Sequence, residues 1–256
     1  MSNVLAIARK ELRSYFVSPI AYVVVGFFAL LFGWFYVSSL SILVRFSTQA
    51  GMFGGGPQAI NMNEFMVRPL LSNTAIILLF ILPFLTARAY AEEKRSGTIE
   101  LLLTSPVSDL EIILGKYLGA FTLFLLMLSV TAVHMGFLFW YGEPELGPVL
   151  SGYLGLVLMG GSFIALGLLI SSTTRNQIVA GVGTFSLLLL FWVLGWMADA
   201  AGPTTGAILS YLSILDHFED FAQGVIDTAH VAYYVSFIAF GLFLTAKSVD
   251  SERWRG

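Results

Sequence analysis

The sequence predicts an all-α, polytopic membrane protein with six transmembrane helices, and three observations carry that prediction. Of its 256 residues, 57% are hydrophobic and only 11% charged, with a mean hydropathy of +0.83, whereas a soluble domain carries about a quarter charged residues. Six apolar stretches, 20–44, 69–87, 117–141, 149–171, 178–198 and a shorter 231–246, hold no Asp, Glu, Lys or Arg. A bilayer core of about 30 Å takes about 20 helical residues to cross. Finally, none of these stretches alternates apolar and polar residues as a membrane β-barrel strand must, and lipid offers the backbone no hydrogen bonds, so the spans must be helical.

The first 19 residues precede these spans. Leu5, Ala8, Leu12 and Tyr15 or Phe16 recur at helical spacing opposite Arg9, Lys10 and Arg13. This is the pattern of an amphipathic helix lying in the membrane interface before Pro19 turns the chain inward. No small-residue cleavage site follows the first long span, so the segment does not read as a cleavable signal. Orientation follows from the basic residues. Eleven of thirteen (Arg9, Lys10, Arg13, Arg88, Lys94, Arg95, Lys116, Arg175, Lys247, Arg253 and Arg255) fall on one side, and only Arg45 and Arg68 on the other. The positive-inside bias therefore predicts that both termini are cytoplasmic. The sixteen acids divide evenly, leaving the outer side at −6 and the inner side at +3.

On that topology the connection 88–116 is the largest cytoplasmic one. The helix of the second span should continue past the membrane to Ser96-Gly97, a helix-stopping pair. Thr98 can then start a short helix through Ile99, Glu100, Leu101, Leu102 and Leu103. Thr104-Ser105-Pro106 ends it, because proline disfavours helical geometry in the residue before it. Ser108-Asp109-Leu110-Glu111 is an S-x-x-E capping box that launches the next helix through Lys116 into the third span. The apolar residues of the short helix need a cover: the membrane surface, the protein's own helices, or a groove on a soluble partner.

The residues Glu92, Glu93, Ser96, Gly97, Thr98, Glu100, Leu101, Leu102, Pro106 and Val107, followed by Gly115-Lys116, resemble the membrane subunits of type-2 ABC exporters, in particular the gliding-motility and nitrous-oxide-reductase maturation permeases. The stretch from Asp216 to Tyr234 is similar to the segment before the last span of those permeases. The resemblance implies that 1–19 is an elbow helix and 88–116 a cytoplasmic coupling segment. Its short helix would be a coupling helix docked on a separate ABC ATPase subunit, which would hold the ATP and Mg. It further implies coupling contacts at Glu92, Glu93, Gly97, Thr98, Ile99, Glu100, Leu101, Leu102 and Pro106, with a second contact at the 171–177 connection through Arg175. A second copy of the chain or a homologous permease, and an extracytoplasmic auxiliary subunit, are further implied partners, in a bacterial inner membrane. Taken by itself, the 171–177 connection also reads as a plain turn between helices.

No G-x-x-x-x-G-K-[ST] loop, H-E-x-x-H or G-x-S-x-G occurs, so the chain is expected to be neither an ATPase nor an enzyme, to carry no cofactor or metal of its own, and to bind no nucleic acid. The competing classes are an integral-membrane enzyme acting on lipid, which would need a nucleophile and base near an interface, and an ion-driven secondary transporter, which would need ionisable groups within the spans. Only His134 lies in a span, and a hydrogen bond to a neighbouring helix is its expected role. Segment 199–230 reads as an outer re-entrant or interfacial element, with Ile214 or Leu215, Phe218, Phe221 and Val225 as an apolar stripe. His217 and His230 flank that element, and their spacing does not predict a metal site. Gly115-x-x-x-Gly119 and Gly161-x-x-x-Ala165 would permit close helix contacts.

Overall fold

The computed structural model describes residues 2–52, 61–103 and 106–253, and among these the side chains of 3–49, 61–100 and 106–252. The 54–57 glycine loop, the side chains of Met52, Leu101 and Leu102, and residues Arg253 (side chain) and Arg255 lie outside that description.

Six helices of 24 to 33 residues are long and apolar enough to cross a membrane: α2 (Ile20–Met52), α3 (Arg68–Ser96), α5 (Asp109–Tyr141), α6 (Leu146–Thr173), α7 (Gln177–Ala200) and α10 (Thr228–Arg253). Before them lies α1 (Ser2–Val17), between α3 and α5 lies α4 (Thr98–Leu103), and between α7 and α10 lie α8 (Pro203–Leu212) and α9 (Ile214–Ala222). The chain is therefore a polytopic all-helical membrane protein. Helix α2 runs eight residues past the expected 44: Arg45 does not end it, and Ser47 and Thr48 bond back to the Val44 and Arg45 carbonyls.

Helices α3 and α6 form the centre. Within the apolar windows of both, 72% of residues are buried, against 17% for α2 and 22% for α10, so the latter two lie at the periphery. The two central backbones approach closely, since a Cβ on Gly167 would overlap the Thr86 side chain. Membrane helices gain by such contact, because lipid tails supply no hydrophobic drive for association. Pro83 interrupts the backbone ladder of α3. Further along α3, Ser171 of α6 bonds the helix backbone: its hydroxyl donates to the Ala87 carbonyl (2.8 Å) and accepts from the Tyr90 and Ala91 amides (3.0 and 3.1 Å).

Helices α1 and α4 and the ends of α3, α6 and α10 lie at one end of the bundle. Helices α8 and α9 lie at the other. Residues 199–230 fold into α8 and α9, and Ser213 caps α9 by accepting from the Asp216 amide at 3.2 Å. Ile214, Phe218 and Phe221 of the expected stripe are buried against α6, and Ser151 of α6 donates to the Phe221 carbonyl at 2.8 Å. Val225 does not join them. It follows the Gly224 turn and is 54% exposed.

Candidate functional site

The α1 end of the bundle carries most of the residues singled out in the sequence. Helix α1 sits on the first turns of α5 because Gly115 and Gly119 leave room for it. A Cβ at those positions would lie 2.6 Å from Ile7 and 2.7 Å from Glu11. The close approach puts Glu11 beside Lys116, whose side chain is 1% exposed. The ammonium bonds Glu11 at 3.0 Å, Glu93 of α3 at 2.9 Å and the Ala89 carbonyl at 2.8 Å. Its three protons thus meet three acceptors. Lys10 reaches Glu93 from outside at 3.4 Å, so two lysines face two carboxylates and the cluster is neutral. It ties three elements, α1, α3 and α5, at the level from which α4 hangs.

Helix α3 stops at Gly97, whose φ of +72° is a left-handed turn that side-chain-bearing residues adopt at a cost. The hydroxyls of Ser96 and Thr98 meet at 2.9 Å across that turn, and Ser96 donates back to the Glu92 carbonyl. The two hydroxyls thus fix the angle at which α4 leaves. On the far side the expected capping box forms: Glu111 N donates to the Ser108 hydroxyl at 3.4 Å, and Ser108 N donates to the Glu111 carboxylate at 3.1 Å. The Gly97 turn thus fixes where α4 begins, and the Ser108 cap fixes where α5 begins.

Two cations near this end have partners that sequence reasoning missed. Lys94, adjacent to the glutamates, turns inward (its side chain is 3% exposed) to Glu252 at the end of α10, at 2.6 Å, and to the Ser172 carbonyl. Arg88 stacks over the Tyr15 ring at 4.4 Å and donates to Ser14 (3.2 Å) and Ser18 (3.5 Å). Tyr15 donates to the Leu85 carbonyl, and burial pushes its phenol well above the usual range. Between α1 and the ends of α3 and α4 lies an open cleft of about 1320 Å³, whose walls include Arg9, Arg13, Phe16, Arg88, Glu92 and Thr98.

At the opposite end, α9 and α10 bring together a triad that sequence spacing did not announce. His217 Nδ1 faces His230 Nδ1, His217 Nε2 lies 2.9 Å from the Tyr211 carbonyl, and His230 Nε2 lies 2.7 Å from Asp220. A carbonyl only accepts, so His217 donates through Nε2 and its Nδ1 accepts from His230. Burial, and then the neighbouring His230, push the His217 pKa below its ordinary value. With two ring nitrogens turned on each other, the set is not a metal cage. Among the described residues no group of three or more His, Asp or Glu is arranged to hold a metal ion. His134 contacts the rings of Phe32 and Tyr36 on α2 edge-on, and its ring nitrogen lies 3.4 Å from Val130 O of its own helix. Its hydrogen bond is therefore within its own helix rather than the inter-helix one expected, and its contacts with α2 are made to aromatic rings.

Comparison with known proteins places this architecture. The model of the family described as ABC-2 family transporter protein matches residues 58–215, more than half of the chain. The chain belongs to the ABC-2 transporter family. It is 28% identical over 142 residues to a protein of Escherichia coli K12 named probable multidrug ABC transporter permease YbhR, and equally to the same-named protein of Escherichia coli O157:H7. Those alignments cover 55% of this chain and 38% of the relatives, so the ABC-2 resemblance reaches only part of their length. The family match takes in α3 through α8 and the first residues of α9.

Within that ABC-2 region the structure divides the expected coupling residues. Glu92, Thr98, Glu100, Pro106 and, in the tight α6–α7 turn, Arg175 are exposed on the same end of the bundle. Ile99 is not. It is 8% exposed and belongs to the chain's own buried cluster, so it anchors α4 rather than offering itself to a partner. Glu93 is half-buried in the lysine cluster, and Gly97 acts through the backbone turn. The side chains of Leu101 and Leu102 lie outside the described residues.

Proposed function

We propose that the chain is the membrane-spanning permease subunit of an ATP-driven ABC transporter. A separate ABC ATPase subunit docks on the end that carries α4 and Arg175, and hydrolysis of ATP with Mg on that subunit drives movement of cargo across the membrane. The observation that carries this reading is the construction of α4. It is a six-residue helix, far too short to be stable alone, yet it is fixed by the Gly97 turn and the buried Ile99. Its beginning and Glu100 face outward. A force applied to α4 reaches α3 through the Ser96–Thr98 contact and reaches α1 and α5 through Glu93 and Lys116. From there Ser171 and Lys94 link it to α6 and α10.

In this reading the subunit is a bacterial inner-membrane exporter component with both termini cytoplasmic, working beside a second copy of itself or a homologous permease and, outside the membrane, an auxiliary subunit. Multidrug transport, named for the relative in Escherichia coli, fits the aromatic-rich spans as one cargo class. Glu100→Lys combined with Arg175→Glu tests the docking face: both residues are exposed, so insertion and thermal stability should be unchanged. Retention of a partner ABC ATPase should fall at least tenfold in pull-downs. Full retention with both charges reversed would place the ATPase elsewhere.

A further inference from the structure

The cleft between α1 and α3 is polarised along its length. At the α4 half, Glu11 and Glu93 are engaged by Lys116 and Lys10, with Glu92 at the edge. Beyond Glu11, toward Ser18, Arg13 and Arg88 line the wall, and among the described residues no carboxylate lies within ion-pair distance of either. Arg88 is half-buried, and only neutral acceptors, the Ser14 and Ser18 hydroxyls, receive its protons. A guanidinium has five N–H donors in a planar fork suited to phosphate, and a partly desolvated charge calls for a counter-charge.

The level of this half is also defined. Arg88 follows Ala87, the last residue of the apolar run in α3, and Ser18-Pro19 immediately precedes the entry of α2 at Ile20. Beside the arginines, Phe16 and Val17 line the same cleft; Val17 is 79% exposed and Phe16 packs edge-on to Tyr22. Cations at the end of a span with apolar and aromatic side chains beside them form the profile of a bilayer headgroup zone.

We propose that the membrane-side half of this cleft binds the phosphate of an anionic glycerophospholipid, with Arg88 and Arg13 on the phosphate and Phe16 and Val17 against the glycerol and upper acyl region. A resident lipid would then wedge between α1 and α3 and set how tightly α1 holds Glu11 in the lysine cluster. The inference goes beyond the permease reading and does not rest on it.

The test uses the full chain in phosphatidylcholine nanodiscs with spin-labelled phosphatidylglycerol or spin-labelled phosphatidylcholine as probe. The motionally restricted fraction should favour phosphatidylglycerol, and Arg88→Gln and Arg13→Gln should each lower that preference by about fivefold, the worth of one interfacial cation. Lys247→Gln, which removes an exposed cation at the end of α10, should leave it intact. Arg13 is exposed, so its variant remains informative if Arg88→Gln lowers stability. Equal preference in the Arg13 and Lys247 variants would overturn the proposal. Displacement by inorganic phosphate but not by chloride at matched ionic strength would also overturn it, in favour of a soluble anion. So would loss of the restricted fraction when the ATPase is bound, which would assign the cleft to a protein contact. Pull-down of the ATPase is read separately, so failure here is distinguishable from failure of the docking surface.

Discussion

Lys116 is the most constrained charge at the α1 end, because its ammonium is buried with every proton committed. Removing it leaves Glu11 and Glu93 facing each other with Lys10 alone, and stripping one partner from a buried ion cluster costs about 3–5 kcal/mol. Lys116→Met should therefore lower the thermal unfolding midpoint in detergent strongly, and Glu93→Gln should do so less, since Lys116 then keeps Glu11 and the Ala89 carbonyl. A Lys116→Met protein as stable as the parent would mean that the cluster is solvated and α1 loosely held. At the other end, His217 gives a pH signature. Its folded pKa lies below the unfolded value of about 6.5, so the unfolded chain binds the extra proton first. The stabilisation is complete above about pH 6.5 and is lost as pH falls from there towards the folded pKa. Asp216, Asp220, His230 and Tyr211 face the ring, and a proton added at His217 Nδ1 would set two donors against each other across the His217–His230 contact. The unfolding midpoint should drop between pH 7 and 5, and His217→Gln should flatten that slope. An unchanged slope in His217→Gln would assign the pH response to other groups.

Among the elements, α1 and α4 show what short-range pattern can and cannot reveal. The amphipathic face of α1, the stop at Gly97 and the Ser108–Glu111 box were legible because each depends on residues within about four positions. The seat of α1 on Gly115 and Gly119 was visible only as a spacing, since nothing local says which helix fills a small-residue groove. The inward turn of Ile99 was not legible at all: an apolar residue on a short helix looks the same whether it faces its own core or a partner. The seat predicts a sharp contrast between two glycines of α5. Gly119→Leu must displace Glu11 and the backbone of α1 and should expose α1 to protease. A Cβ at Gly136 has nothing within 4 Å to meet, so Gly136→Leu should behave as the parent. Equal protease resistance in both would mean that α1 is not held by α5. Gly97→Pro acts differently, because its φ of +72° is closed to proline. It should leave the protein inserted but misdirect α4, lowering ATPase retention with little change in unfolding. Parental retention in Gly97→Pro would remove α4 from the docking surface.

At the scale of the whole molecule, the six spans were readable from composition and length alone, whereas the contacts that join their ends were not. Lys94 and Glu252 are separated by 158 positions, and Lys116 and Glu11 by 105; only the folded bundle makes them neighbours. The even number of spans places α1 and the end of α10 at the same end, and this is also the end where ten of the twelve basic residues among the described ones fall. Lys and Arg resist translocation, so this end should be cytoplasmic and the α8–α9 end, with its net charge of −6, outside. The chain has no cysteine, which makes single introduced thiols clean reporters. Ser96, Arg175 and Gln223 are exposed and suit the purpose, whereas Ser172, in the same turn region as Arg175, is fully buried and would resist labelling on either side. In intact cells a membrane-impermeant maleimide should modify Gln223→Cys alone, and after permeabilisation it should modify Ser96→Cys and Arg175→Cys as well. Labelling of Ser96→Cys in intact cells would invert the molecule and, with it, put α4 beyond the reach of any cytoplasmic ATPase.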